Sequence, residues 1–144
     1  MICIFRRHMS LAKKHICLAE DDPDDYYIFA RTLEEFDKSI KLTWFTTCAE
    51  LLEYLKTGDE DELPDIIVLD MNMPKIDGQT CLLTIKSEAN LHHIPVAILS
   101  TGTSPAAIKT AYDGGAFRYF VKPFSMEEFR KIVEEIINFK NATD

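Results

Sequence analysis

The run DIIVLD (65–70) carries four consecutive apolar residues, Ile66 to Leu69, between two aspartates. It is too short for a helix and does not alternate, so it reads as a strand covered on both faces. Such strands belong to parallel sheets with helices on either side. Working outward from it, HICLA (15–19) and KLTWFT (41–46) come before, and PVAILS (95–100) and FRYFV (117–121) come after. Helical patterns stand between them: DYYIFARTLEEF (25–36), AELLEYLK (49–56), QTCLLTIKSEA (79–89) and PAAIKTAYD (105–113). A last helix is predicted from about Met126 to Phe139, with Phe129, Ile132, Val133 and Ile136 on one stripe.

Local chemistry supports these boundaries. Pro23 and Asp24 can open the first helix, and Thr46 or Thr47 can cap the second. Ser104-Pro105 is a cap followed by proline at the first helical position, and Ser125 with Glu128 has capping-box spacing. Gly114-Gly115 ends the fourth helix. Five βα units with right-handed crossovers give an α/β fold, an open parallel sheet with helices on both faces. KTGDEDELPD (56–65) reads as a solvated acidic loop.

The 144 residues suit one domain, expected over 14–140, with a poorly ordered extension at 1–13 and a short tail at 141–144. Met1 and Met9 are alternative starts. Hydrophobic residues at 47% and charged residues at 28% fit a globular protein and exclude a disordered one. A net charge of −8 argues against nucleic-acid binding. No apolar run approaches a membrane span, and MICIFRRHMS has the wrong order of features for a secretory signal. The four cysteines form no CxxC pair; Cys17, Cys48 and Cys81 read as reduced, buried thiols, so a cytoplasmic setting is expected.

In an open parallel sheet the chemistry lies at the carboxyl ends of the strands. The first strand delivers Glu20, Asp21 and Asp22 there; the third delivers Asp70, then Met71 and Asn72. The fourth ends in Ser100 and Thr101, the fifth in Lys122 and Pro123. Each residue alone has a plain reading as a helix-dipole acid, turn former or surface lysine. Their arrival on one edge from four separate segments is better explained by phosphoryl transfer to a carboxylate. Magnesium is held by one or two carboxylates and other oxygens, which Glu20, Asp21, Asp70 and the Asn72 backbone carbonyl can supply. Asp70 would attack phosphorus while the metal and Lys122 share the charge and Ser100 bonds the phosphoryl group.

With LAEDDP (18–23), LDMNMPKIDG (69–78), ILSTG (98–102) and YFVKPF (119–124) in view, the chain resembles a receiver domain of the response-regulator, CheY-like type from about Lys14 to Lys140. The resemblance implies a flavodoxin-like three-layer fold with strand order 2-1-3-4-5. It implies Asp70 as phospho-acceptor, Glu20 and Asp21 as the acidic pair, Ser100 as switch hydroxyl and Lys122 as phosphate-binding lysine. Asn72 and Thr101 match positions that tune the phosphoryl group's lifetime and access. Tyr119 matches the aromatic that turns inward, and the Lys122–Pro123 bond is expected to be cis. Magnesium, with manganese as substitute, is the implied cofactor.

The implied function is that of a stand-alone signalling protein, not an enzyme beyond its own phosphorylation and dephosphorylation. A histidine kinase or histidine phosphotransfer protein would be the donor. An unnamed protein target would read the surface of the fourth helix, fifth strand and fifth helix. The exposed side of the last helix leaves a homodimer open; no nucleic acid or membrane is expected. Departures from the family pattern are mild: Glu20 for the commoner aspartate, Ser100 for threonine, and a longer stretch between the first and third strands. A haloacid-dehalogenase-like phosphohydrolase would need an acid where Asn72 stands. A flavodoxin phosphate loop would follow the first strand, whereas STGTS (100–104) follows the fourth. A phosphorylation-independent scaffold shares the fold and is separated only by experiment. His92-His93 reads as a loop pair, neither metal site nor phosphodonor.

Overall fold

The computed structural model describes residues 14–140, so the extension and tail expected at 1–13 and 141–144 lie outside the described residues. Five strands, β1 (His15–Ala19), β2 (Lys41–Phe45), β3 (Ile66–Leu69), β4 (Val96–Ser100) and β5 (Arg118–Val121), form one parallel sheet in the order β2-β1-β3-β4-β5. The helices are α1 (Pro23–Phe36), α2 (Cys48–Thr57), α3 (Gly78–Ser87), α4 (Pro105–Asp113) and α5 (Met126–Asn138). The acidic loop before β3 carries a short 3-10 turn at Glu60–Glu62.

The period-two geometry of the strands sorts their side chains into two cores. Cys17, Ala19, Ile67, Leu69, Val96, Ile98 and Tyr119 pack under α2, α3 and α4. Ile16, Leu18, Ile66, Val68, Ala97, Leu99 and Phe120 pack under α1 and α5, where they meet Phe29, Leu33, Phe129, Val133 and Ile136. Both faces of the middle strands are thus buried, which is why β3 is apolar without alternation. Of α4 only Ala111 is buried, so this helix is held far more lightly than its neighbours.

The helix starts follow the caps. Asp22 caps α1 with Pro23 at its first position; Thr47, Asp77, Ser104 and Ser125 cap the others through side-chain oxygens. The third helix stops at Ser87, short of the expected Ala89. The Lys86 ammonium instead donates to the carbonyls of His92 and Ile94 and ties down the loop that follows.

One expectation about the cysteines is overturned. Cys48, at the start of α2, and Cys81, in the first turn of α3, are joined in a disulfide with Cα atoms 6.0 Å apart. Neither is a reduced thiol, and the inference of a reducing compartment loses its support. The cause is tertiary: the two helices lie side by side and turn these residues toward each other in the core. Cys17 is the buried free thiol expected, its pKa pushed up to about 12 by burial. No helix among the described residues is long and apolar enough to cross a membrane.

Candidate functional site

The sheet ladder extends one residue beyond three strands and thereby aligns the site. The Glu20 amide donates to the Phe45 carbonyl (2.9 Å), the Asp70 amide to Ala19 (3.1 Å) and the Lys122 amide to Ser100 (2.8 Å). Each of these residues is therefore fixed by its own backbone at the carboxyl edge. Glu20 is further held by Trp44, whose indole Nε1–H donates to the Glu20 carbonyl at 2.7 Å while its ring stacks on Tyr26.

Glu20 and Asp70 are 3% and 6% exposed, and Ser100 is fully buried. The Lys122 ammonium joins the acids: Nζ lies 2.7 Å from Glu20 Oε1, 2.7 Å from Asp25 Oδ2 and 3.1 Å from Asp70 Oδ2. Asp70 Oδ1 accepts the Asn72 amide at 3.0 Å, and Glu20 Oε2 the Asp22 amide at 3.2 Å. The Asn72 side-chain amide reaches the hydroxyls of Ser100 and Thr101, each at 3.4 Å. Tyr119 faces inward, its hydroxyl donating to the Gly102 carbonyl at 2.9 Å, and its backbone N–H donates to the Tyr112 hydroxyl at 3.0 Å.

The loop from Asp70 to Gly78 is folded tightly against the site. A Cβ on Gly78 would sit 2.5 Å from the Asp70 carbonyl oxygen and 2.6 Å from Met71 Cα, so only glycine fits. Within this loop Lys75 takes the left-handed conformation, φ 68°, uncommon for a residue with a side chain.

Burial, reinforced by the charge of Asp70, raises the Glu20 carboxyl to about 7 despite its bond to Lys122. At Asp70 burial also opposes ionisation, but the Asn72 amide and the Lys122 charge outweigh it and hold the carboxyl below its usual range. Lys122 loses solvation, yet its bonds to Asp25 and Glu20 keep its pKa above the ordinary lysine value. One ammonium thus faces three carboxylates, with Asp21 beside them.

Glu20, Asp21 and Asp70 each offer an oxygen within 4.8 Å of the others. An all-oxygen donor set with surplus negative charge fits a hard divalent cation such as magnesium or manganese. All the residues expected at the rim belong to this edge, with Asp21 on its exposed side and Thr101 at its mouth. The Lys122–Pro123 peptide is the exception to expectation. Every peptide bond among the described residues is trans, the intrinsically favoured form, and Lys122 reaches the acids with the bond in that form. Asp25, Trp44, Gly78 and Tyr112 were not foreseen. Of these, Asp25 had a signal in EDDPDD, which runs from the strand end into the first turn of α1, and Gly78 had one as the last residue of LDMNMPKIDG.

A family model described as response regulator receiver domain matches residues 16–134. The chain is 33% identical over 123 residues to the "Probable methanogenesis regulatory protein FilR2" of Methanothrix harundinacea (strain 6Ac), covering 84% of this chain and 79% of that protein. Its fold is similar to the phosphorylated cyanobacterial phytochrome response regulator RcpA, with TM-score 0.81 and 31% identity over 92% of this chain and 96% of that one. It is also similar to the Mn(2+)-bound form of response regulator Rcp1, with TM-score 0.78 and 28% identity over 91% and 96%.

Proposed function

We propose, from the premise that this chain belongs to the response regulator receiver domain family, that Asp70 accepts a phosphoryl group and thereby switches the protein's contacts with a partner. The observation that carries the reading is the bond from Lys122 Nζ to Asp70 Oδ2 at 3.1 Å, formed beside the Glu20–Asp21–Asp70 oxygen group. A buried, ionised carboxylate with an ammonium at its side is a nucleophile with a ready stabiliser for phosphoryl charge.

In the reaction, an Asp70 carboxylate oxygen forms a bond to phosphorus as the bond from phosphorus to the donor breaks, the donor leaving with the electron pair. No proton moves at Asp70, because its carboxyl is already held ionised. Lys122 and the Ser100 hydroxyl bind the phosphoryl oxygens, while Asn72 and Thr101 line their approach. Magnesium held by Glu20, Asp21 and Asp70, with the Asn72 carbonyl as a further oxygen, would supply neutralisation of charge; manganese suits the same oxygens, and the similar Rcp1 has a Mn(2+)-bound form.

The donor in this reading is a histidine kinase or histidine phosphotransfer protein; a cytoplasmic setting follows from that choice of donor and no longer from the cysteines, two of which are joined. The signal leaves through the face of α4, β5 and α5. Tyr119 supports that route: its hydroxyl grips Gly102, two residues from Ser100, so a shift of Ser100 toward a phosphoryl group pulls on the aromatic and on the loop leading into lightly anchored α4. Moving such an equilibrium from 1:99 to 99:1 takes about 5.5 kcal/mol of differential binding, which phosphoryl group and partner share. Incubation with magnesium and a small phosphodonor tests the reading. A native-gel mobility shift is expected, abolished in Asp70→Asn; no shift, or one that survives the substitution, rejects it.

A further inference from the structure

An ammonium has three N–H donors, and on Lys122 three carboxylates take them: Glu20 and Asp25 at 2.7 Å, Asp70 at 3.1 Å. Binding a phosphoryl oxygen therefore requires one of these bonds to be surrendered. The three acceptors are not equivalent. The Glu20 side chain is 4% exposed and also held by the Asp22 amide. Asp70 is the reacting group. Asp25, on the first turn of α1, has a side chain 36% exposed, so water can take over its solvation when Lys122 leaves. It stands outside the Glu20–Asp21–Asp70 oxygen group, and the ammonium sits closer to it than to the acceptor.

We propose, resting on the function above, that Asp25 is a positioning residue that holds Lys122 in reserve and must release it to the incoming phosphoryl group. As the Asp70 oxygen bonds to phosphorus and the donor departs with its electron pair, Lys122 keeps its protons. It exchanges one N–H bond, from Asp25 to a phosphoryl oxygen. Asp25 thereby slows capture of the group, because its bond is lost before the new one is complete.

Acetyl phosphate, a small acyl phosphate, with saturating magnesium provides the test on the full chain. Asp25→Asn is expected to accelerate Asp70 phosphorylation about fivefold, a charge-assisted bond discounted for partial exposure. Asp25→Glu, which restores a carboxylate, is expected to keep the wild-type rate. Asp24→Asn, which removes the same charge one residue away, is expected to stay within about twofold of it. An unchanged or slower Asp25→Asn, an Asp25→Glu as fast as Asp25→Asn, or an Asp24→Asn equally accelerated overturns the inference alone. A wild-type protein that takes up no phosphoryl group on Asp70 overturns the underlying function as well.

Discussion

Replacing Glu20 by glutamine puts a neutral side chain where the fold holds a carboxyl whose pKa lies near 7, against an ordinary value of 4.5. A raised carboxyl pKa means that the folded state favours the protonated form. Its contribution to stability is fully present below pH 4.5 and is lost as pH rises toward and through 7. The separation corresponds to about 3 kcal/mol, taken over a side chain that is almost wholly buried. Urea denaturation in a chelator, from pH 4.5 to 8, reads this directly. The advantage of Glu20→Gln over wild type is expected to grow from near zero to about 3 kcal/mol across that window. His15 titrates in the opposite sense, since burial lowers its pKa, but it does so in both proteins and cancels in the difference. Asp70, with its lowered pKa, acts only at more acidic pH. Magnesium is expected to reduce the high-pH deficit of the wild type and to stabilise Glu20→Gln less, since the variant keeps only Asp21 and Asp70 of the three carboxylates. Parallel pH curves for the two proteins would refute the reasoning.

Gly78→Ala drives a methyl group into the Asp70 and Met71 backbone, so a stability loss of about 2–3 kcal/mol and slower phosphorylation are expected from denaturation and rate measurements. Cys48→Ser opens a cross-link between residues 33 apart in sequence and is expected to cost about 3–4 kcal/mol by denaturation. Reductant should reproduce that loss in the wild type, and peptide mapping should find Cys48 and Cys81 alkylated only after reduction. Trp44 is the single tryptophan and bonds the Glu20 carbonyl, so its emission is expected to change on magnesium titration of the wild type and to change far less in Asp70→Asn.

Much of this architecture is legible because the physics that sets it is local. Ile66 to Leu69 are apolar without alternation since both faces of β3 are covered, and Thr47, Ser104 and Ser125 announce the helices they cap. The carboxyl-edge rule then brings Glu20, Asp70, Ser100 and Lys122 together, because strand ends in a parallel sheet share an edge. What escaped the sequence depends on which faces meet. Cys48 and Cys81 pair only because α2 and α3 lie side by side, and a spacing of 33 residues says nothing of that. Asp25 looks like any acid favouring a helix dipole until Lys122 arrives 97 residues later. The bond from Trp44 to Glu20 follows from β2 lying beside β1, with nothing in the motif to announce it. The trans bond before Pro123 departs from the family expectation.

Intact-mass spectrometry of the purified chain, after exposure to acetyl phosphate with magnesium or with chelator, bears most directly on the central claim. The account predicts the mass of one phosphoryl group added only with magnesium, mapped to Asp70 and absent from Asp70→Asn. An unmodified mass, addition in the chelator, or a phosphoryl group that persists in Asp70→Asn would contradict it.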